Sequence, residues 1–289
     1  MDKGGNPTFK RVWRAVQLLR RHGVRFNTLT TVHAANGDRP LEVYRFLRDE
    51  VGSSFLQFIP IVERAGEGDQ VTARSVRPRQ YGRFLTAVFD EWVRRDVGTV
   101  FVQIFEAALA SWVGAPPTLC IFAPTCGDAM ALEHNGDLYS CDHFVEPRHR
   151  LGNLRERTLG ELAASEPQRR FGEDKQRLLP DYCRRCPVLF ACNGGCPKER
   201  FRRTPEGEPG LNYLCAGYKD FFLHIDQPMR QMAAMLRQGR NADEVMAWMA
   251  AEDARLDEAL AGTGPNQPCP CGSGRKAKQC HRRDAKGRA

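Results

Sequence analysis

Cys183-Arg184-Arg185-Cys186-Pro187-Val188-Leu189-Phe190-Ala191-Cys192-Asn193-Gly194-Gly195-Cys196 places four thiols within fourteen residues. The C-x2-C and C-x3-C steps bring several of them onto one tight turn, an arrangement that zinc or an iron–sulfur cluster could use. Working outward, Cys215 follows and Cys120, Cys126 and Cys141 precede, giving Cys120-x5-Cys126-x14-Cys141 and Cys183-x2-Cys186-x5-Cys192-x3-Cys196-x18-Cys215. Eight thiols make two sets of four, the usual complement of a [4Fe–4S] cluster, whereas closed zinc sites more often use two close pairs or include histidine. Spacing leaves both metals open, and its simplest pairing of ligands is consecutive.

The remaining three cysteines, Cys269, Cys271 and Cys280, lie near the end, and residues 1–119 hold none. Eleven cysteines in a reducing cytoplasm point to metal or cluster ligation rather than to structural disulfides. The opening residues have no signal-peptide apolar run, and no stretch approaches the roughly 20 apolar residues of a membrane span. A cytoplasmic chain with no membrane contact is expected. The net charge of +8 is concentrated at residues 275–289, where seven Lys/Arg face one Asp, so the body carries little basic excess. At 289 residues and 42% hydrophobic content, one core with appendages is the expectation.

Hydrophobic periodicity predicts a helix over residues 7–22, with Val12, Trp13, Val16 and Leu19 on one face and Gly23 closing it. A strand over Phe26–Val32, a helix over Pro40–Glu50, a strand over Phe55–Val62, a helix over 79–96 and a strand over Phe101–Ile104 follow. That alternation is the rhythm of parallel α/β architecture, and both longer strands are apolar enough to suggest burial on both faces. From Pro116 the texture changes to short cysteine-punctuated pieces, with a hairpin turn at His134-Asn135-Gly136-Asp137. Helices over Leu214–Leu236 and Ala242–Leu260 are expected to close this second domain, and Gly262–Gln267 reads as a linker. The division expected is therefore 1–115, 116–262 and 263–289.

Five segments carry a resemblance: Cys141-Asp142-His143-Phe144, Leu151-Gly152-Asn153-Leu154, Cys183-x2-Cys186-Pro187, Cys192-Asn193-Gly194-Gly195-Cys196 and Leu211-Asn212-Tyr213-x-Cys215. In this order they resemble the SPASM auxiliary-cluster domain of peptide-modifying radical S-adenosylmethionine (SAM) enzymes. With Asp2-Lys3-Gly4-Gly5-Asn6-Pro7-Thr8-Phe9 and Gln57-Phe58-Ile59-Pro60 upstream, the likeness over residues 1–225 is nearest to the anaerobic sulfatase-maturating enzymes. The fold it implies is the C-terminal part of a partial (β/α) barrel followed by the SPASM domain.

The resemblance implies two auxiliary [4Fe–4S] clusters, one on Cys120, Cys126, Cys141 and Cys196, the other on Cys183, Cys186, Cys192 and Cys215. This interleaving comes from the family pattern alone. The family oxidises a cysteine or serine of a sulfatase polypeptide to formylglycine, using SAM and a third [4Fe–4S] cluster. A 5′-deoxyadenosyl radical removes a hydrogen atom from the side-chain carbon, and a base removes the heteroatom's proton. Asp142 matches the family's proposed base; at an arbitrary position it would read as a turn or capping aspartate. SAM lies across the C-terminal ends of the barrel strands, where Ile61 and Val62 are candidate backbone contacts to adenine.

The family's SAM-cleaving C-x3-C-x2-C triplet does not occur in this sequence. The expectation is an N-terminally truncated chain, inactive alone. A non-catalytic iron–sulfur and zinc binding protein, or a modifier of another peptide, is the alternative. The terminal segment Asn266-Gln267-Pro268-Cys269-Pro270-Cys271-Gly272-Ser273-Gly274-Arg275-Lys276-x-Lys278-x-Cys280-His281 resembles the SEC-C motif, a zinc knuckle. Three thiolates and one imidazole, from Cys269, Cys271, Cys280 and His281, are a standard closed zinc set. Such motifs serve as docking elements, so the basic tail is a candidate contact for an acidic protein surface or RNA.

Overall fold

Parallel strands need a crossover long enough to carry the chain back, and residues 28–102 contain two of them. In the computed structural model, which describes residues 4–66 and 68–281, α1 (Phe9–Arg21) leads into β1 (Thr28–Val32) and α2 (Pro40–Arg45). A single π-helical turn, Phe46–Glu50, then precedes β2 (Phe55–Pro60), α3 (Pro78–Arg95), β3 (Phe101–Val102) and α4 (Gln103–Val113). The Asp2-Lys3 start of the segment read above, and the tail beyond His281, lie outside the described residues.

The sheet runs β1-β2-β3, all parallel, with Thr28 opposite Leu56 and Phe55 opposite Phe101. Helix α3 starts at Pro78, whose missing N–H costs nothing in a first turn. It buries Phe84, Leu85, Val88, Phe89 and Trp92, the face that its sequence period indicates.

Three expectations need correction. Only Phe101 and Val102 pair with β2, and the chain turns straight into α4, so Gln103 and Ile104 are helical rather than strand. The alanine-rich run over residues 107–110 favours helix, and Gly114 ends it in the left-handed region at φ +83°. The strands are buried on one face, not two: burial alternates along β1, with Leu29 64% exposed and Val32 fully buried. Alternation is the mark of a strand with one covered face, and on β2 the buried Phe58 meets the edge of Phe84 of α3 at 5.1 Å. Helix α1 likewise has no fully buried residue, Trp13 and Val16 being half-covered by the core and Val12 exposed.

From Pro116 the elements shorten. β4 (Ala131–Leu132), β5 (Asp137–Tyr139) and β6 (Arg150–Asn153) form an antiparallel sheet, the first pair joined by a turn whose Gly136 adopts φ +92°. Helices α5 (Leu159–Ala163), α6 (Glu166–Arg177), α7 (Asp181–Arg184) and α8 (Leu189–Cys192) follow, then the β7 (Arg202–Arg203) and β8 (Pro209–Leu211) ribbon. Thr158 and Glu161 form a reciprocal capping box at the start of α5.

The helix expected over Leu214–Leu236 is two, α9 (Cys215–His224) and α10 (Asp226–Arg237), meeting at Ile225, and α11 (Val245–Ala261) comes after. They do not close the cysteine region on itself. α9 and α11 lie on α3, and α10 lies on α4, so one continuous core runs from Val32 through Phe89 and Phe105 to Phe221 and Met249. The reason is aromatic packing: Phe221 stacks on Phe105 at 5.8 Å and meets the edge of Phe89 at 6.3 Å. No described helix is long and apolar enough to cross a membrane.

Helices α3 and α9 cross at two glycines. A Cβ on Gly217 would lie 2.0 Å from the Pro78 carbonyl oxygen, and one on Gly82 would lie 2.7 Å from the Gly217 Cα. Both obstacles are backbone, so the helices must separate to admit a methyl group. Gly217→Ala is expected to lower stability by about 1–3 kcal/mol, read as a reduced denaturation midpoint. An unchanged midpoint would show that this crossing is not tight.

Candidate metal centres and the residues around them

Asn193, Gly194 and Gly195 take φ of 44°, 72° and 62°, three left-handed residues in succession. A side chain at Gly194 would strike Leu179, and one at Gly195 would strike Asn212. This reversal separates two cysteines that are close in sequence. Cys192, at the end of α8, turns to one side with Cys183, Cys186 and Cys215, all four lining one small cavity with Val188 and Leu189. Asn212 places Cys215: its Oδ1 accepts from the Leu214 N–H at 2.8 Å and its Nδ2 donates to the Cys196 carbonyl at 3.2 Å. Burial pushes the Cys192 and Cys215 thiols each up to about 12.

Cys196 faces the other way, within electrostatic reach of Cys120, Cys126 and Cys141. Helix α6 organises that set. The Cys126 N–H donates to the Gly172 carbonyl at 3.1 Å, and a Cβ on Gly172 would lie 2.4 Å from the Cys126 carbonyl oxygen. Buried Gln168 donates to the carbonyls of Gly127 at 2.8 Å and Ser140 at 3.2 Å, holding the residues next to Cys126 and Cys141. Burial pushes Cys141 up to about 12 and Cys196 up to about 11.

The donor chemistry fits iron–sulfur clusters. Each set offers four sulfurs, none in a disulfide, and desolvation disfavours the thiolates of Cys126, Cys141, Cys183, Cys192, Cys196 and Cys215 unless a cation replaces their protons. Two cations escaped sequence reasoning. Lys175 on α6 is 1% exposed and donates to the carbonyls of Cys120 at 2.6 Å and Ile121 at 3.0 Å. Arg200 donates to the carbonyls of Lys175, Asn193, Gly194 and Gly195 at 2.5–3.2 Å. Its place four residues after Cys196 was a usable signal; Lys175, in the polar run EPQRRFGEDKQR, gave none.

Asp142 is exposed at the start of a 3-10 turn beside the first set, with its Oδ1 3.2 Å from the Cys141 sulfur. The next residue, His143, places Nδ1 3.4 Å from the Cys196 sulfur. Ile61 and Val62 follow directly on β2. The Ile61 N–H donates to the Val32 carbonyl at 2.8 Å and its carbonyl accepts from Val76 at 3.0 Å, so both its backbone groups serve the fold.

The terminal segment folds as a small loop of its own. Cys269 pairs with Arg275 through the backbone, and Gly272 and Gly274 reverse the chain at φ +76° and +68°. The sulfurs of Cys269, Cys271 and Cys280 and a ring nitrogen of His281 all lie within 4.8 Å of one another. Ligands at Zn–S distances stand about 3.8 Å apart in a tetrahedron, and the Cys271 and Cys280 sulfurs are 3.6 Å apart.

Residues 120–187 match the SPASM family, an "Iron-sulfur cluster-binding domain", and residues 266–283 match the SEC-C motif. The "Serine-type anaerobic sulfatase-maturating enzyme" of Bacteroides thetaiotaomicron is 46% identical over 238 residues, 78% of this chain and 57% of that protein. The "Cysteine-type anaerobic sulfatase-maturating enzyme" of Clostridium perfringens (strain 13 / Type A) is 29% identical over 227 residues, 76% of this chain and 60% of that one. A solved structure described as "Native anSMEcpe with bound AdoMet" superposes with a TM-score of 0.72 at 28% identity, covering 81% of this chain and 63% of the other. The chain thus spans less than two thirds of the length of these relatives, and its fold is that of the radical SAM sulfatase-maturating enzymes with a SPASM domain and a SEC-C segment.

Burial disfavours the Cys271 thiolate, yet hydrogen bonds from Ser273, Cys269 and Cys280 together outweigh it and hold this thiol down to about 6. In metal-free protein at pH 7, Cys271 is expected to be the thiol most readily alkylated by iodoacetamide, its rate falling as pH drops through about 6. Ser273→Ala should slow it. Mass spectrometry showing equal labelling of all eleven cysteines would contradict this.

Proposed function

We propose that this chain, a homologue of the anaerobic sulfatase-maturating enzymes along 78% of its length, takes part in oxidising a sulfatase cysteine or serine to formylglycine. The observation that carries the reading is the neighbourhood of Asp142: an exposed carboxylate against the Cys141 sulfur, beside one of two four-thiol sets. In this reading Cys120, Cys126, Cys141 and Cys196 hold one [4Fe–4S] cluster, and Cys183, Cys186, Cys192 and Cys215 hold the other. When bound, SAM and its cleaving cluster supply the radical that takes a hydrogen atom, and the auxiliary clusters supply an exit for the remaining electron.

The chain's own residues do the rest. Asp142 accepts the proton from the substrate oxygen or sulfur, and its exposure leaves it open to an incoming peptide. Gln168 and Gly172 fix the loops carrying Cys126 and Cys141, and so fix where Asp142 stands. Of the two residues after β2, Val62 is the stronger candidate for a backbone contact to adenine, because both backbone groups of Ile61 are already used. Eight unpaired thiols suit a reducing cytoplasm.

The test of Asp142 uses a chimera in which the Bacteroides relative contributes the N-terminal part of the barrel. Asp142→Asn should retain iron and SAM cleavage while formylglycine formation on Cys- and Ser-containing sulfatase peptides falls by about 10²-fold or more. Near-normal formylglycine yield would remove Asp142 from the chemistry.

Cys269, Cys271, Cys280 and His281 hold one zinc ion in the same reading, and the basic residues beside them dock on an acidic protein surface or RNA. Deleting residues 265–289 should abolish zinc binding, measured by elemental analysis, without loss of iron. Equal zinc content in the intact and shortened chains would show this ligand set to be wrong.

A further inference from the structure

Two positive charges, Lys175 buried and Arg200 partly buried, are held among the loops of the thiol sets, and among the described residues neither ion-pairs with a carboxylate. The Lys175 ammonium meets the carbonyls of Cys120 and Ile121, and the Arg200 guanidinium meets four carbonyls, including that of Lys175 itself. Carbonyls satisfy the N–H donors but leave each charge uncancelled, and an uncancelled buried charge is costly. The carbonyls that receive them belong to the cysteine loops: Lys175 takes that of Cys120 itself, and Arg200 takes those of Asn193, Gly194 and Gly195, the reversal between Cys192 and Cys196.

Methionine or leucine would fill the space but leave these carbonyls without donors, so each place calls for a long donor, and at both the donor carries a full charge. The distribution is also uneven. Lys175 holds the loop of one set at Cys120, whereas Arg200 holds the reversal that joins the two sets between Cys192 and Cys196.

Resting on the reading that the two sets hold iron–sulfur clusters, we propose that Lys175 and Arg200 tune those clusters as positioning charges that favour the reduced form, Arg200 for both and Lys175 for the Cys120–Cys126–Cys141–Cys196 set. Reduction adds one negative charge to a cluster and its thiolates, and a fixed cation held by the ligand-bearing loops, away from bulk water, stabilises that charge. In turnover the electron comes from the substrate side chain, after hydrogen-atom removal at carbon and transfer of the heteroatom proton to Asp142. The carbon–heteroatom bond gains its second component as the substrate loses the electron and the cluster gains it.

The test is a dithionite titration of the anaerobically reconstituted 289-residue chain, followed by electron paramagnetic resonance, with iron measured alongside. The unaltered chain should hold about eight iron ions. Lys175→Met should keep that iron and, at fixed potential, lower the reduced-to-oxidised ratio of one cluster about tenfold, a downward shift of about 59 mV, with the other nearly unmoved. Arg200→Gln should lower both, and Lys175→Arg and Arg200→Lys should restore them. Unmoved potentials in iron-loaded Lys175→Met and Arg200→Gln would overturn the proposal while leaving the cluster assignment intact. Should the neutral variants fail to load iron, loading by the charge-conserving pair supports a requirement for charge, and failure of all four variants alike assigns the residues to packing and overturns it. An unaltered chain that takes up no iron overturns the cluster reading and this proposal with it.

Discussion

The reversal at Asn193-Gly194-Gly195 is the constraint from which the metal region is built. Three successive left-handed residues are open to glycine and tolerable to asparagine, and here each stands where a larger side chain would collide or strain. Because the chain turns back at this point, Cys192 and Cys196 serve different thiol sets although only three residues separate them. The two sets are therefore one unit, and neither can form without the loop that also shapes the other. The same loop exposes the carbonyls that receive Arg200, so the geometry that divides the thiols also seats a charge between them.

That unit is not independent of the parallel sheet. Cys215 opens α9, and α9 crosses α3 at Gly82 and Gly217 with backbone against backbone. Phe122, two residues after Cys120, is fully buried against Tyr218 and Phe222 of α9. A cysteine of one set and a neighbour of the other are thus tied to the helix that rests on the sheet.

Burial on this scale carries an electrostatic condition. Thiols pushed to about 11 or 12 do not ionise near neutral pH by themselves, and a buried lysine and a partly buried arginine without carboxylates are unfavourable by themselves. Each is the remedy for the other once a metal displaces the thiol protons. The SEC-C segment solves a smaller problem locally, with its four donor groups gathered by two left-handed glycines and a few backbone hydrogen bonds.

The sequence by itself determined the alternation of strand and helix, the inward face of α3, the hairpin turn at Gly136 and the donor set of the terminal segment. All of these depend on residues near one another along the chain, where periodicity, φ preference and ligand spacing act directly. It also carried the Asn193-Gly194-Gly195 signature, although only resemblance suggested which cysteines belong together. The tertiary structure decided what depends on distant partners. It set the short β3, since only two residues reach β2; the break at Ile225, where α9 and α10 take different neighbours; and the one-sided burial of β1. It alone identified Lys175 and Arg200, because a lysine or arginine in a polar segment looks solvated until folding removes its water and sets thiols beside it.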